Sequence, residues 1–264
     1  MTDYKSIFEK VETSLIKAGS VHIPSEKIRE TLDKYKHFEG KTFSDAEYFE
    51  KLVLIIFYSG FRAATVSAKA DLICNYFPDY EIVSSYTEDK IKEILANPNM
   101  IRNKRKVTAC IDNAKVFKSI VNNYGSFQAY IDGFAARDSF ENLILLKEEL
   151  EYLFNGLGRI TTYHFLTDIG MEVLKPDRVI GRIFQRLVLI ENPEQLLKTI
   201  IQGRKFAQST GYPIRYIDIV FVSYGQMESQ ELGLTSGICL EHNPLCTSCG
   251  VTDYCNYYKQ SVVY

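Results

Sequence analysis

Four cysteines crowd the last 26 residues as Cys239-x6-Cys246-x2-Cys249-x5-Cys255, and no other feature constrains this chain as strongly. Two further cysteines, Cys74 and Cys110, stand singly inside apolar helical patterns and read as buried free thiols. In a reducing cytoplasm, clustered thiols generally hold metal rather than pair as disulfides. Soft thiolate donors favour iron–sulfur or zinc. Structural zinc more often uses two close pairs, and only Cys246 and Cys249 form one here. The four are read together as one site.

The 264 residues suffice for one large domain or two modest lobes that share an interface. An apolar content of 46% provides a core and argues against disorder. Formal charge is only −2, from 31 basic and 33 acidic residues. A nucleic-acid binder of this composition has to gather its Lys and Arg on one face. No run reaches the ~18 apolar residues of a membrane span. Met1-Thr2-Asp3-Tyr4-Lys5 lacks the basic-then-apolar layout of a signal peptide, so a cytoplasmic protein without membrane contact is expected.

Helical periodicity runs through nearly the whole chain, and the apolar segments are too long for typical strands. Ser44-Asp45-Ala46-Glu47 forms a capping box opening a helix with Tyr48, Leu52, Ile55 and Ile56 on one stripe. Further helices are predicted from Thr87 to near Pro98, over Lys104–Val121, and over Glu141–Phe154. Later ones cover about Thr161–Gly170, Asp177–Ile190, Pro193–Ser209 and Ile214–Met227. The fold class is all-α.

Between two of these helices lies Phe154-Asn155-Gly156-Leu157-Gly158. Glycines two apart permit a tight turn and leave backbone N–H groups unobstructed. The next helix, from about Arg159, points its positive end to the same place, which suits a DNA phosphate. A plain connector is the alternative. Some twenty residues on, Lys175-Pro176-Asp177 precedes another helix, and Arg182 follows five residues after Asp177. Asp177 on its own reads equally as an N-cap.

The stretch from Phe154 to Arg182 resembles the helix-hairpin-helix and catalytic aspartate of the endonuclease III and adenine glycosylase family. The cysteine spacing equals that family's cluster loop, and Ile217 to Gly225 resembles the helix leading into it. The resemblance implies a DNA glycosylase with Asp177 as the catalytic carboxylate. It also implies the hairpin residues Gly156, Leu157, Gly158 and Arg159 at a DNA phosphate, Arg182 near the DNA, and a [4Fe–4S] cluster on Cys239, Cys246, Cys249 and Cys255. Phe49 to Phe134 is similar to the 3-methyladenine DNA glycosylase I family. That likeness rests on Gly60-Phe61, on Asn97 to Lys106, on Ile111 to Lys115 and on Gly125-Ser126-Phe127. By likeness Phe61 and Arg62 stand where relatives fill the gap left by an extruded base. Arg102 and Lys104 belong to a local basic cluster placed to meet phosphate.

Several positions depart from the family pattern. Ile160 replaces the nucleophilic lysine of bifunctional members, and isoleucine cannot form a Schiff base. Val179 stands where a polar residue is usual, and the base-recognition glutamate falls on or near Ile55. The loop is poor in basic residues, with Glu241, His242 and Asp253 inside it, so structural support is its expected role. The implied architecture is a six-helix barrel lobe at 42–172 and an iron–sulfur lobe from 1–41 and 173–264, with a DNA-binding cleft between them. The implied activity is monofunctional excision of a base from damaged or modified double-stranded DNA, an alkylated purine such as 3-methyladenine being favoured. A monomer of the bacterial or archaeal nucleoid is expected. The alternatives are a glycosylase for a mispaired, oxidised or hypermodified base, and a non-catalytic DNA-binding protein of the same fold.

Overall fold

The structure, a computed structural model, describes residues 2–262. Its first half contains α1 (Tyr4–Gly19), α2 (Ser25–Asp33), α3 (Asp45–Tyr58), α4 (Ala63–Ser67), α5 (Ala70–Tyr76), α6 (Tyr80–Val83), α7 (Glu88–Ala96) and α8 (Lys104–Tyr124). The second half contains α9 (Phe127–Asp132), α10 (Phe140–Leu153), α11 (Thr161–Asp168), α12 (Arg178–Arg186), α13 (Leu196–Thr210), α14 (Ile214–Gly225) and α15 (Asn256–Val262). Among the described residues there is no β-strand, only an isolated bridge between Ser229 and Leu234. The all-α expectation holds. No helix among them is long and apolar enough to cross a membrane. The chain divides into two compact units, Gly40–Met171 and Met1–Glu39 with Glu172–Tyr264.

In the unit Gly40–Met171, α3 begins at the predicted capping box. Glu47 N donates to Ser44 Oγ at 3.3 Å, and Ser44 N donates back to Glu47 Oε2 at 2.7 Å. The predicted stripe Tyr48, Leu52, Ile55 and Ile56 is buried. The core is aromatic: Phe127 stacks on Phe117 at 4.5 Å and meets Phe154 and Phe165 edge-on at 6.1 and 6.3 Å. Each fully buried ring contributes about 1.5–3 kcal/mol. Phe154 is the residue on which α10 ends, so this cluster also roots the hairpin that follows. Cys110 is buried as expected, but Cys74 is only half-buried, because its turn of α5 lies near the surface.

In the other unit, Phe184 of α12, Phe206 of α13 and Phe221 of α14 meet at 4.9–5.5 Å, and Phe8 of α1 joins Phe221 at 5.9 Å. Helix α12 is shorter than the predicted Asp177–Ile190. It stops at Arg186, because Val188 adopts φ +58. Val188 N donates to Gln185 O and Leu189 N donates to Phe184 O, both at 2.9 Å, which is the Schellman closure. That closure usually carries glycine, and a β-branched residue there is strained. Val188 is also 66% exposed, so its side chain gains little from packing. Val188→Gly is therefore expected to raise unfolding free energy by about 0.5–1 kcal/mol, the relief of strain exceeding glycine's entropy cost. Urea denaturation measures it, and a loss of stability would show that the turn is not strained.

Candidate active site and cysteine loop

The hairpin is built by residues on both of its sides. Gly156 has φ +90, and a Cβ there would sit 3.4 Å from the Ile56 side chain. Gly158 has open space above it, and both glycines are exposed. Leu157 between them is buried, so it anchors the turn, while Arg159 is exposed. The Gly158 carbonyl accepts from both Thr162 N and Thr162 Oγ1 at 2.9 Å, which closes the first turn of α11.

Asn113 holds the hairpin from behind. It is fully buried in α8, donates Nδ2 to Asn155 O at 2.9 Å, and accepts from Asn155 N at 2.8 Å. In the sequence Asn113 stands inside the Ile111 to Lys115 run that carries the family likeness. A lone amide among Val107, Cys110, Ile111, Ala114 and Phe117 was the available signal, since a buried amide needs partners.

Asn155 and Gly156 share a cavity of about 770 Å³ with Ile56, Ser59 and the start of α8, including Lys104 and Arg105. Lys104 pairs with Glu88 at 2.7 Å. Lys106 donates to the carbonyls of Ile56 and Ser59, closing the C-terminal end of α3, and burial lowers the pKa of its ammonium. It also lies 5.5 Å from the ring of Phe61, which is 39% exposed. Arg62 is the N-cap residue of α4, and Arg102 Nε reaches Asn97 O at 3.5 Å.

Asp177 caps α12. Its Oδ1 accepts from Val179 N at 2.9 Å and Ile180 N at 3.1 Å. Oδ2 stands 3.6 Å from Lys175 Nζ, and the side chain is 19% exposed. One oxygen thus serves the helix, while the other faces the Lys175 ammonium.

Arg182, expected against DNA, is turned inward instead. It donates Nη2 to Gly225 O at 2.7 Å and to Cys239 O at 3.1 Å, because two carbonyls at the end of α14 and in the loop lack helical partners. Arg186, one turn on, donates to Cys239 Sγ at 3.2 Å and Leu240 O at 2.7 Å, and lies 4.1 Å over the Tyr257 ring.

The four cysteines line one small cavity of about 20 Å³ with Arg186 and Tyr257. Tyr224 donates its hydroxyl to Cys249 Sγ at 3.0 Å, and Tyr258 N reaches Cys255 Sγ at 3.4 Å. Burial raises the thiol pKa of Cys239 and Cys246, and Arg186 opposes this at Cys239. The loop packs closely on α1: a Cβ at Gly250 would come within 2.5 Å of Ser14 Oγ. Among the described residues no group of three or more His, Cys, Asp or Glu side chains is arranged to hold a metal ion. The soft donors are right for an iron–sulfur group in number, type and common enclosure, but they do not form a ready cage.

Among the described residues an all-helical fold with a glycine hairpin before α11 and an aspartate capping α12 is the arrangement of the helix-hairpin-helix DNA glycosylases. The chain is similar to a trapped endonuclease III–DNA covalent intermediate, at 16% identity and TM-score 0.58, over 91% of this chain and 99% of that one. It is also similar to Tm1821, the 8-oxoguanine DNA glycosylase of Thermotoga maritima, at 16% identity and TM-score 0.51, over 81% and 95%. Identities this low speak for the fold alone. Similarity to 3-methyladenine DNA glycosylase I from Staphylococcus aureus is 23% in identity with TM-score 0.45, over 53% and 84%. A profile of the methyladenine glycosylase family matches residues 31–173, more than half of the chain. The chain belongs to the methyladenine glycosylase family, and it is a DNA N-glycosylase of that family. The matched segment contains the hairpin and ends before Asp177 and the cysteine loop.

Proposed function

We propose that the protein removes alkylated purines, 3-methyladenine among them, from double-stranded DNA by hydrolysis of the N-glycosidic bond, acting as a monomer without a lyase step. The hairpin backbone of Gly156 and Gly158 holds a phosphate through its N–H groups, aided by Arg159 and the basic start of α8. The damaged nucleotide leaves the stack, at a cost lowest for a damaged base. The C1′–N bond then breaks, its electron pair departs with the base, and positive charge develops on the sugar. Asp177 lies opposite that charge as a carboxylate and stabilises it. Water adds at C1′, its proton passes to Asp177 and then to solvent, and a free base and an abasic site remain.

The placement of Asp177 carries this mechanism: one oxygen is fixed by the α12 N–H groups and the other stands beside Lys175. The nature of the leaving group follows from what is missing. The family's glutamate falls on or near Ile55, and Ile55 and Ile56 are both buried in the core, so neither supplies a second acid. An alkylated purine carries positive charge and departs without one. Ile160 offers no amine for a Schiff base.

Cys239, Cys246, Cys249 and Cys255 are proposed to hold a [4Fe–4S] cluster. When bound, it supplies a covalent staple for the loop and takes no part in hydrolysis. The thiols stay reduced in a reducing cytoplasm, which is the proposed compartment. Incubation of the protein with methylated duplex DNA, with mass spectrometry of the released bases, tests the function. Release of 3-methylated purines is expected. A preparation that binds the duplex but frees no alkylated base removes the alkylation reading and leaves a hypermodified base or a non-catalytic binder.

A further inference from the structure

Asp218 is a buried carboxylate to which the mechanism above assigns no role. It lies in the second turn of α14 with only 3% of its surface exposed. Its Oδ1 accepts from Lys175 N at 2.9 Å, and its Oδ2 accepts from Arg215 Nη1 at 2.8 Å. Arg215 is held in turn: its backbone N–H donates to Glu39 Oε1 at 2.9 Å, and its guanidinium lies 5.6 Å from the rings of Tyr35 and Phe38. Asp177 N donates to Lys175 O at 2.8 Å, so the peptide units on both sides of Lys175 are fixed, one by Asp218 and one by Asp177. Burial pushes the Asp218 carboxyl up to about 6, while Arg215 and the Lys175 N–H pull the other way and Asp177 adds repulsion.

A buried charge is costly unless paired, and a hydrophobic residue would serve packing alone at least as well. The main-chain group that Asp218 holds is the N–H two residues before Asp177. We infer that Asp218 is a positioning residue, which sets the Lys175-Pro176-Asp177 segment through Lys175 N and so aims the Asp177 carboxylate. Arg215 supplies the counter-charge that keeps Asp218 in place. This rests on Asp177 being the catalytic carboxylate. A misplacement of about 1 Å at a reacting group can cost on the order of a hundredfold in rate.

The test compares wild type, Asp177→Asn, Asp218→Asn and the double variant. It measures single-turnover base release from methylated duplex DNA, and affinity for a duplex carrying an abasic-site analogue. Asp218→Asn is expected to slow release about tenfold or more while affinity stays within about twofold. In the Asp177→Asn background the same change is expected to have no further effect, since Asp218 acts only through Asp177. A merely structural residue would lower affinity and the residual rate together in both backgrounds. Asp218→Glu keeps the charge facing Arg215 but moves the acceptor off Lys175 N. It is expected to be slow as well, and it covers the case of an asparagine variant that does not fold. Wild-type rates in Asp218→Asn or Asp218→Glu, with Asp177→Asn inactive, overturn the positioning role alone. Wild-type release by Asp177→Asn overturns the catalytic assignment itself.

Discussion

Asp177→Asn is expected to lower single-turnover release of alkylated bases by about 10²–10³-fold, the loss typical of one well-placed electrostatic group in a water-poor site. The variant is informative because it separates the two duties of this side chain. Asparagine caps helices about as well as aspartate. The bonds from Val179 N and Ile180 N to Oδ1 can therefore be kept. Stability should change by less than about 0.5 kcal/mol, mostly through loss of charge at the helix start and beside Lys175. What asparagine cannot supply is a negative charge opposite a developing oxocarbenium ion. Kinetics on quenched samples and a urea titration of the same preparation measure the two effects. A rate loss with unchanged stability assigns Asp177 to catalysis. Lost stability with an unchanged rate per folded molecule would reduce it to a cap, and the catalytic reading would fall.

Local signals explain what was legible in the sequence. The capping box at Ser44 and Glu47, the apolar stripe of α8 and the glycine hairpin each depend on residues within a few positions of one another. Helix ends were less legible. Nothing in the pattern through Ile190 announces that Val188 turns left-handed, and α1 and α2 escaped the periodicity reading altogether. The supporting residues of the site were hidden for a different reason. Asn113 serves Asn155, Asp218 serves Lys175, and Arg182 and Arg186 serve the carbonyls and sulfur of the loop, each across some forty to sixty positions. Arg182 is placed near DNA by the family resemblance alone, because nothing local in the sequence tells where its long side chain turns. Only the tertiary fold reveals that unpaired carbonyls at the end of α14 claim it first. The residues that carry chemistry are thus visible as types and spacings. The residues that aim them become visible only when the chain is folded.

Cys246→Ser is expected to have the largest effect outside the hydrolytic centre, on the cysteine loop and with it on the unit that carries Asp177. Protein prepared without oxygen should be brown and contain about four irons and four sulfides per chain, the composition of a [4Fe–4S] cluster. Serine offers a harder, more basic oxygen in place of a soft thiolate, so iron content and colour should drop sharply. Stability should fall with them. The proposed ligands span residues 239–255, and fixing a loop of roughly that length by a cross-link contributes about 3 kcal/mol. Short-range backbone bonds such as Leu245 N to Ile238 O at 2.8 Å and Cys255 N to Thr252 O at 3.0 Å shape the turns of the loop. The Tyr224 carbonyl accepts from Ile238 N and Cys239 N at 2.8 Å, and the loop sulfurs accept from Arg186 at Cys239, from the Tyr224 hydroxyl at Cys249 and from Tyr258 N at Cys255. Cys246 lines the same small cavity as the other three thiols, and the proposed ligation would tie it to them. Cys74→Ser is the control, because that half-buried thiol lies in the other unit and should leave iron and colour unchanged. Stoichiometric zinc in place of iron would keep the ligand set and discard the cluster. Wild-type metal content and stability in Cys246→Ser would discard the site.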